Sequence, residues 1–287
     1  METILNDKRA ATRQLLPLFP SVLLIVFVFG SALAYMLSTA FFEYRPPYVV
    51  AEFTLENFQH FFSTSLYLGT LYVTLRVAAV SSLLCLVMGY PIAYGLARSK
   101  SRFERSVLFT GVLITLFVGI IERIYAWILL LDDNGIINGF LTYLGLGRVH
   151  LMYNELGIVI VSTHYLLPFA VFTLMGSIGS VGSSLEEMAL GLGASRIRVF
   201  VDITLPLTLP GIMSSVLLTF SLGVSAWAIP MMMGGGLVWM LSNMVYDRVV
   251  STGNMPFGSA IALVIMLVSI SSTLLLTALF SRKIKVE

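Results

Sequence analysis

The chain has 287 residues, 57% of them apolar and only 11% charged, with a mean hydropathy of +0.93 and a net charge of +2. A soluble domain is nearer half apolar and a quarter charged, so this composition excludes a separate soluble enzyme domain and places the chemistry in or beside a bilayer. It carries no basic signature for nucleic acid.

Crossing a hydrocarbon core of about 30 Å takes roughly 20 apolar residues. Taken in chain order, spans are predicted over about 15–42, 66–97, 106–131, 156–180, 207–233 and 257–281, within one transmembrane domain covering 1–287. The first contains Ala32-Leu33-Ala34, which looks like a signal-peptide cleavage site, but its apolar run continues to Phe42. That is too long for a signal core of about 7 to 15 residues, so an uncleaved span is expected. The third span is interrupted by the adjacent charges Glu122 and Arg123. The connections near 43–64 and 132–154 are mixed polar and aromatic, with the turn pairs Pro46-Pro47 and Asn134-Gly135, and read as ordinary caps. From Gly234 to Pro256 the chain is too long for a tight turn and still largely apolar, so a short interfacial or re-entrant helix is expected there. The single cysteine, Cys85, lies inside an apolar run with no partner for a disulfide or a metal and reads as packing.

Orientation follows from Lys and Arg. Lys8, Arg9 and Arg13, then Arg98, Lys100, Arg102 and Arg105, then Arg196 and Arg198, then Arg282, Lys283 and Lys285 all fall in segments on one side of the predicted spans. Arg45, Arg76, Arg123, Arg148 and Arg248 fall in the spans or on the other side. Both termini are therefore expected to be cytoplasmic.

The connection 181–206 joins the fourth and fifth spans on that basic side. Ser184 and Glu187 have capping-box spacing, Gly193 suits the left-handed residue that ends a helix, Ser195 can cap a second short helix, and Pro206 is expected to close it. Two short cytoplasmic helices joined at a bend are predicted. A well-capped amphipathic connector accounts for these features, but the fixed spacing of Glu187, Ala189, Gly193, Ile203, Leu205 and Pro206 carries more. It is similar to the EAA loop of bacterial ATP-binding-cassette importer permeases, with Met188 where that family usually has Ala. Leu66-Tyr67-Leu68, Gly89-Tyr90-Pro91-Ile92-Ala93-Tyr94, Arg123-Ile124-Tyr125-Ala126-Trp127, Leu166-Leu167-Pro168-Phe169 and Asn254-Met255-Pro256-Phe257-Gly258 look like the permeases of spermidine/putrescine-type importers, over roughly residues 15 to 280.

The resemblance implies an all-α, six-span type I importer permease in the cytoplasmic (inner) membrane of a bacterium. It implies a second, similar permease, two ATP-binding subunits below and an extracytoplasmic solute-binding protein above. It also implies that the loop, with Glu187, Ala189, Gly193, Ala194, Ile203, Leu205 and Pro206, couples to the ATPases. No cofactor is expected in this chain; ATP and Mg would reside in the partner ATPase. The sequence has no P-loop pattern GxxxxGK followed by Ser or Thr, no HExxH zinc pattern and no GxSxG elbow, and its histidines, His60, His150 and His164, lie in different segments. A catalytic or metal site is therefore not expected, and an ATP-independent carrier or channel would have no need of the loop.

Ionisable groups inside a span are costly and by default face a bundle interior or a watery cavity. At 1.5 Å per residue, Arg76 lies about 33 Å from Arg98 and Glu122 about 25 Å from Arg105. His164 and Trp227 fall at a comparable level. Glu122, Arg123, Tyr125, Trp127, His164 and Trp227 are therefore candidates for the solute path. The competing reading is structural: Glu122 neutralising Arg123 or Arg76, His164 bonding a neighbouring helix, and the aromatics forming an interfacial belt.

Overall fold

The structure is a computed structural model and describes residues 19–284; the predicted basic start at Lys8, Arg9 and Arg13, the first residues of the first span and Lys285 lie outside the described residues. In chain order the elements are α1 (Phe19–Thr39), β1 (Phe42–Arg45), β2 (Tyr48–Phe53), α2 (Glu56–Ser63) and α3 (Ser65–Arg98). Then come α4 (Arg102–Phe117), α5 (Ile120–Leu131), α6 (Ile136–Tyr143), α7 (Glu155–Ser180) and α8 (Ser183–Gly191). The last are α9 (Arg196–Val199) with a π-turn at Phe200–Thr204, α10 (Leu205–Ser225), α11 (Ala228–Met233), α12 (Leu241–Tyr246) and α13 (Met255–Ile284).

Among the described residues five helical segments are long and apolar enough to cross a membrane, and a bent pair supplies a sixth. The centre is the packed trio α3, α7 and α10. At one end of it Tyr90, Ala93, Leu96, Val171, Leu174, Ile178 and Ile212 form a core. At the other end Phe61 and Tyr67 pack with Leu241, Phe257 and Ile261. Between these levels Cys85 is buried and its thiol donates to the Thr163 carbonyl at 3.3 Å, which fits its reading as packing. The Leu241 amide, at the start of α12, donates to Thr74 Oγ1 at 2.9 Å, tying α12 to α3 and giving a buried helix-start amide a partner.

The structure departs from expectation in five places. The chain is not purely helical, because β1 and β2 pair antiparallel, Glu43 opposite Val50 and Arg45 opposite Tyr48. Arg45 donates to Glu43 at 2.8 and 2.9 Å, and that bond holds the Glu43 carboxyl below the usual carboxylate range. The third span is two helices: the segment Ile120–Tyr143 leaves α4 at 104°, with the break at Val118 and Gly119. Ser184 is not the N-cap of α8; that position is Gly182, two residues earlier, and no side chain caps the helix. Pro206 does not close a helix, because Arg196 to Ser225 is one continuous run. Pro206 follows directly on the π-turn within this run, where the regular α-helical hydrogen-bond pattern is already broken. Finally, the fifth span ends at Ser225, and Ala228–Met233 is a separate short helix. The apolar stretch after Gly236 holds α12 and a second π-turn at Asp247–Ser251, in keeping with a short helix there.

Candidate functional site

The basic connections meet at one end of the bundle. α8 docks beneath α3 because Glu186, buried, turns inward to Arg98. Arg98 Nη2 lies 2.9 Å from Glu186 Oε1 and also donates to the Val181 carbonyl at 2.9 Å. Thr204 Oγ1 donates to the same carboxylate at 2.9 Å, and the Tyr94 hydroxyl reaches it at 3.4 Å. Behind Thr204, Thr208 Oγ1 donates to the Thr204 carbonyl and sits 2.9 Å from the Tyr90 hydroxyl. Sequence reasoning passed over Glu186 in favour of its neighbour, since its partners stand 88 and 18 positions away.

Glu187 faces the other way. It is exposed and meets Lys100 Nζ at 3.6 Å, an open surface pair that contributes little to stability. Gly193 has φ +90°, and the amides of Gly193 and Ala194 donate back to Leu190 and Ala189, so the helix ends at the predicted bend. Ser195 caps α9 by accepting from the Arg198 amide at 3.3 Å. Met188, Leu192 and Ile197 are exposed around this bend, while Ile203, Leu205 and Pro206 are half-buried at the start of α10. Chemically, this end offers an apolar knob flanked by the exposed charges Glu187, Arg196 and Arg198 and tied to the bundle through Glu186.

At the break between α4 and α5, the predicted path residues divide in two. Arg123 is buried and folds back to donate to the carbonyls of Thr115 and Val118, the second at 3.1 Å, so it caps the end of α4. Its guanidinium carbon lies 5.4 Å from the centre of the Tyr165 ring. The Trp127 indole donates to His164 Nδ1 at 3.1 Å. An indole N–H is a donor only, so His164 Nδ1 carries a lone pair and the ring is neutral while this bond lasts.

Glu122 is not buried and pairs with neither arginine. Its carboxylate folds over Gly119, where any Cβ would collide with it, and it stands in the first turn of α5, a favourable place for an anion. Arg76 instead pairs with Glu155 and lies over Tyr72 at 5.1 Å. Tyr125, one helical turn beyond Glu122, is exposed on the same face. Trp227 stands apart from both groups, half exposed and stacked on Tyr246 with centroids 4.9 Å apart. The structure thus brings Arg123, Trp127 and His164 together and leaves Glu122, Tyr125 and Trp227 facing out of this chain. Among the described residues no cluster of His, Cys, Asp and Glu is arranged to hold a metal.

A recess of about 380 Å³ at the hairpin end, lined by Glu43, Glu56, His60, Tyr67, Arg248 and Phe257 among others, was not foreseen. Its residues come from two connections, 43–64 and 234–256, and from the first turns of α3 and α13.

Comparison with known proteins gives a consistent set. A family model described as "Binding-protein-dependent transport system inner membrane component" matches residues 86–286. The spermidine/putrescine transport system permease protein PotB of Escherichia coli (strain K12) is 30% identical over 247 residues, 85% of this chain and 89% of that one. The molybdenum transport system permease protein ModB of Azotobacter vinelandii is 30% identical over 172 residues, 59% of this chain and 74% of that one. Among solved structures, a chain of a bacterial alginate ABC transporter, in complex with an alginate pentasaccharide-bound periplasmic protein, matches with a TM-score of 0.75. It is 17% identical, with 98% of this chain and 97% of that chain covered.

Proposed function

The chain belongs to the family of binding-protein-dependent transport system inner membrane components, the permease subunits of bacterial ATP-driven importers, and from that premise we propose that its solute is a polyamine of the spermidine or putrescine kind. The observation that carries the solute is the 30% identity to PotB across 85% of the chain. Relatives and fold neighbours that serve molybdenum and alginate make an anion the second reading, and the same experiment separates the two.

The working unit in this reading is this permease with a second, similar one, two ATP-binding subunits on the cytoplasmic side and a solute-binding protein on the other. Hydrolysis of ATP with Mg belongs to the partner subunits. The loop end is cytoplasmic, and the exposed apolar residues Met188, Leu192 and Ile197 around Glu187 seat it in an ATPase. The solute path runs past Glu122, Tyr125 and Trp227. A carboxylate with an aromatic ring one turn away suits a primary or secondary ammonium group by charge and by cation–π attraction. Arg123, Trp127 and His164 hold the helices that present them.

The test is uptake by the complete importer in proteoliposomes, with labelled spermidine, putrescine and molybdate offered separately. ATP-dependent uptake of spermidine or putrescine, without molybdate uptake, is expected. Uptake of molybdate alone would transfer the assignment to an anion.

A further inference from the structure

We propose that Glu186 is the positioning residue through which α8 moves as one body with α3 and α10, so that displacement of the loop reaches the membrane helices. Three observations carry this.

First, the contacts radiate from one carboxylate to two separate helices. Arg98 is the last residue of α3, and Thr204 is the last residue of the π-turn that leads without interruption into α10. Glu186 accepts from both, at 2.9 Å in each case. Second, the site is dry. Glu186 is 7% exposed and Thr204 fully buried, so water does not compete for these bonds and the pair resists the screening that weakens surface ion pairs. Third, the network closes on itself: Glu186 to Thr204, Thr204 to Thr208, Thr208 to Tyr90, and Tyr90 back on α3, the helix that ends in Arg98. Glu186 thus ties α8 to α3 and to α10 at once, while Thr208 and Tyr90 hold those two helices to each other. Glu187, by contrast, has among the described residues only an exposed lysine at 3.6 Å and is free to face a partner. Adjacent glutamates thus divide the work, Glu187 outward and Glu186 inward.

The coupling role rests on the importer reading above; the rigid attachment of α8 does not, and the experiment measures them separately. Spin labels are placed at Met188→Cys on α8 and Val87→Cys on α3, both exposed, with Cys85→Ser to clear the background. Label separation is measured in the assembled complex with and without ATP and vanadate. With Glu186 present, one narrow distribution is expected, unchanged by nucleotide. With Glu186→Gln it is expected to broaden and to shift on trapping. An equally narrow, nucleotide-independent distribution in Glu186→Gln overturns the attachment, as does a nucleotide-dependent shift in the parent protein.

Coupling is read as spermidine taken up per ATP hydrolysed. At least a tenfold fall is expected for Glu186→Gln, and a smaller fall for Thr204→Val, which keeps the Arg98 pair and guards against a Glu186→Gln variant that does not assemble. Arg98→Gln combined with Glu186→Gln is expected to be no worse than either alone, because all three break the same ring. An unchanged ratio in well-assembled Glu186→Gln and Thr204→Val overturns the coupling role. Absence of spermidine uptake by the parent complex counts against the polyamine reading and leaves the label distances to decide the attachment.

Discussion

Arg123 donates from the first turns of α5 to the carbonyl of Thr115 on α4, across a break where the chain turns through 104°. A charge that reads in the sequence as a membrane-crossing liability is thus the stopper for helix carbonyls that lose their own donors at the break.

Replacing Arg123 with Leu should therefore destabilise the permease by about 1–3 kcal/mol, the cost of losing charge-assisted hydrogen bonds to two helix-end carbonyls. Thermal unfolding in detergent should show a lower midpoint. The solute concentration for half-maximal uptake by the surviving protein should stay at the parent value; a several-fold rise would instead put Arg123 on the path.

Glu122→Gln should behave in the opposite way. The carboxylate is exposed and unpaired among the described residues, so its loss should leave the amount of inserted protein and the melting midpoint unchanged. Half-maximal uptake of spermidine should need about tenfold more solute, the loss of about 1.4 kcal/mol of attraction. Tyr125→Ala should shift the same quantity in the same direction by less. Identical uptake curves for all three proteins would remove this face of α5 from the path.

Gly193 separates conformation from space. Its φ of +90° is one that a β-branched residue resists at a cost of about 1–3 kcal/mol, yet nothing lies within 4 Å of where a Cβ would stand. Gly193→Val should therefore insert normally and lose stimulation of ATPase by binding protein and solute. Gly193→Asn, which tolerates the left-handed region, should keep most of it. Equal stimulation in the Val variant and the parent would show that the bend is not needed for coupling.

Reporter fusions address the sidedness of the bundle. A fusion after Lys285 should report the cytoplasm, and one within residues 133–147 the opposite side. The same answer from both positions would overturn the cytoplasmic placement of the loop.

The sequence made the spans legible because apolar length is a local property: α3, α7 and α13 lie within two or three residues of their expected bounds at most ends. The bend at Gly193 and the Ser195 cap were equally readable, each depending on one residue type in one place. The hairpin had a signal that went unused, in the aromatic and β-branched run Tyr48-Val49-Val50 beyond a Pro46-Pro47 turn. What stayed hidden depends on partners distant in the chain. Neither the pairing of Arg76 with Glu155, 79 positions on, nor the inward turn of Glu186 leaves a mark near its own position. The charge doublet Glu122-Arg123 was visible, but its meaning required knowing that Val118-Gly119 is a corner rather than the middle of a rod.

The π-turn at Phe200–Thr204 sets an angular phase between two halves of one helix. Each residue of an α-helix turns the side-chain direction by about 100°, and a π-turn accommodates one residue more than the regular spiral would. Arg196 and Ile197 therefore point where they do, relative to the buried face Thr208, Ile212 and Ser215 of α10, because the added residue is taken up in a π-turn rather than in the regular spiral. Deleting a residue there would restore a regular spiral with both faces left where they are, whereas winding all of the present residues as regular α-helix would rotate the cytoplasmic face by roughly a third of a turn against the membrane face. The irregularity works as an indexing step, and its length of five residues is as much a specification of this permease as any side chain it carries.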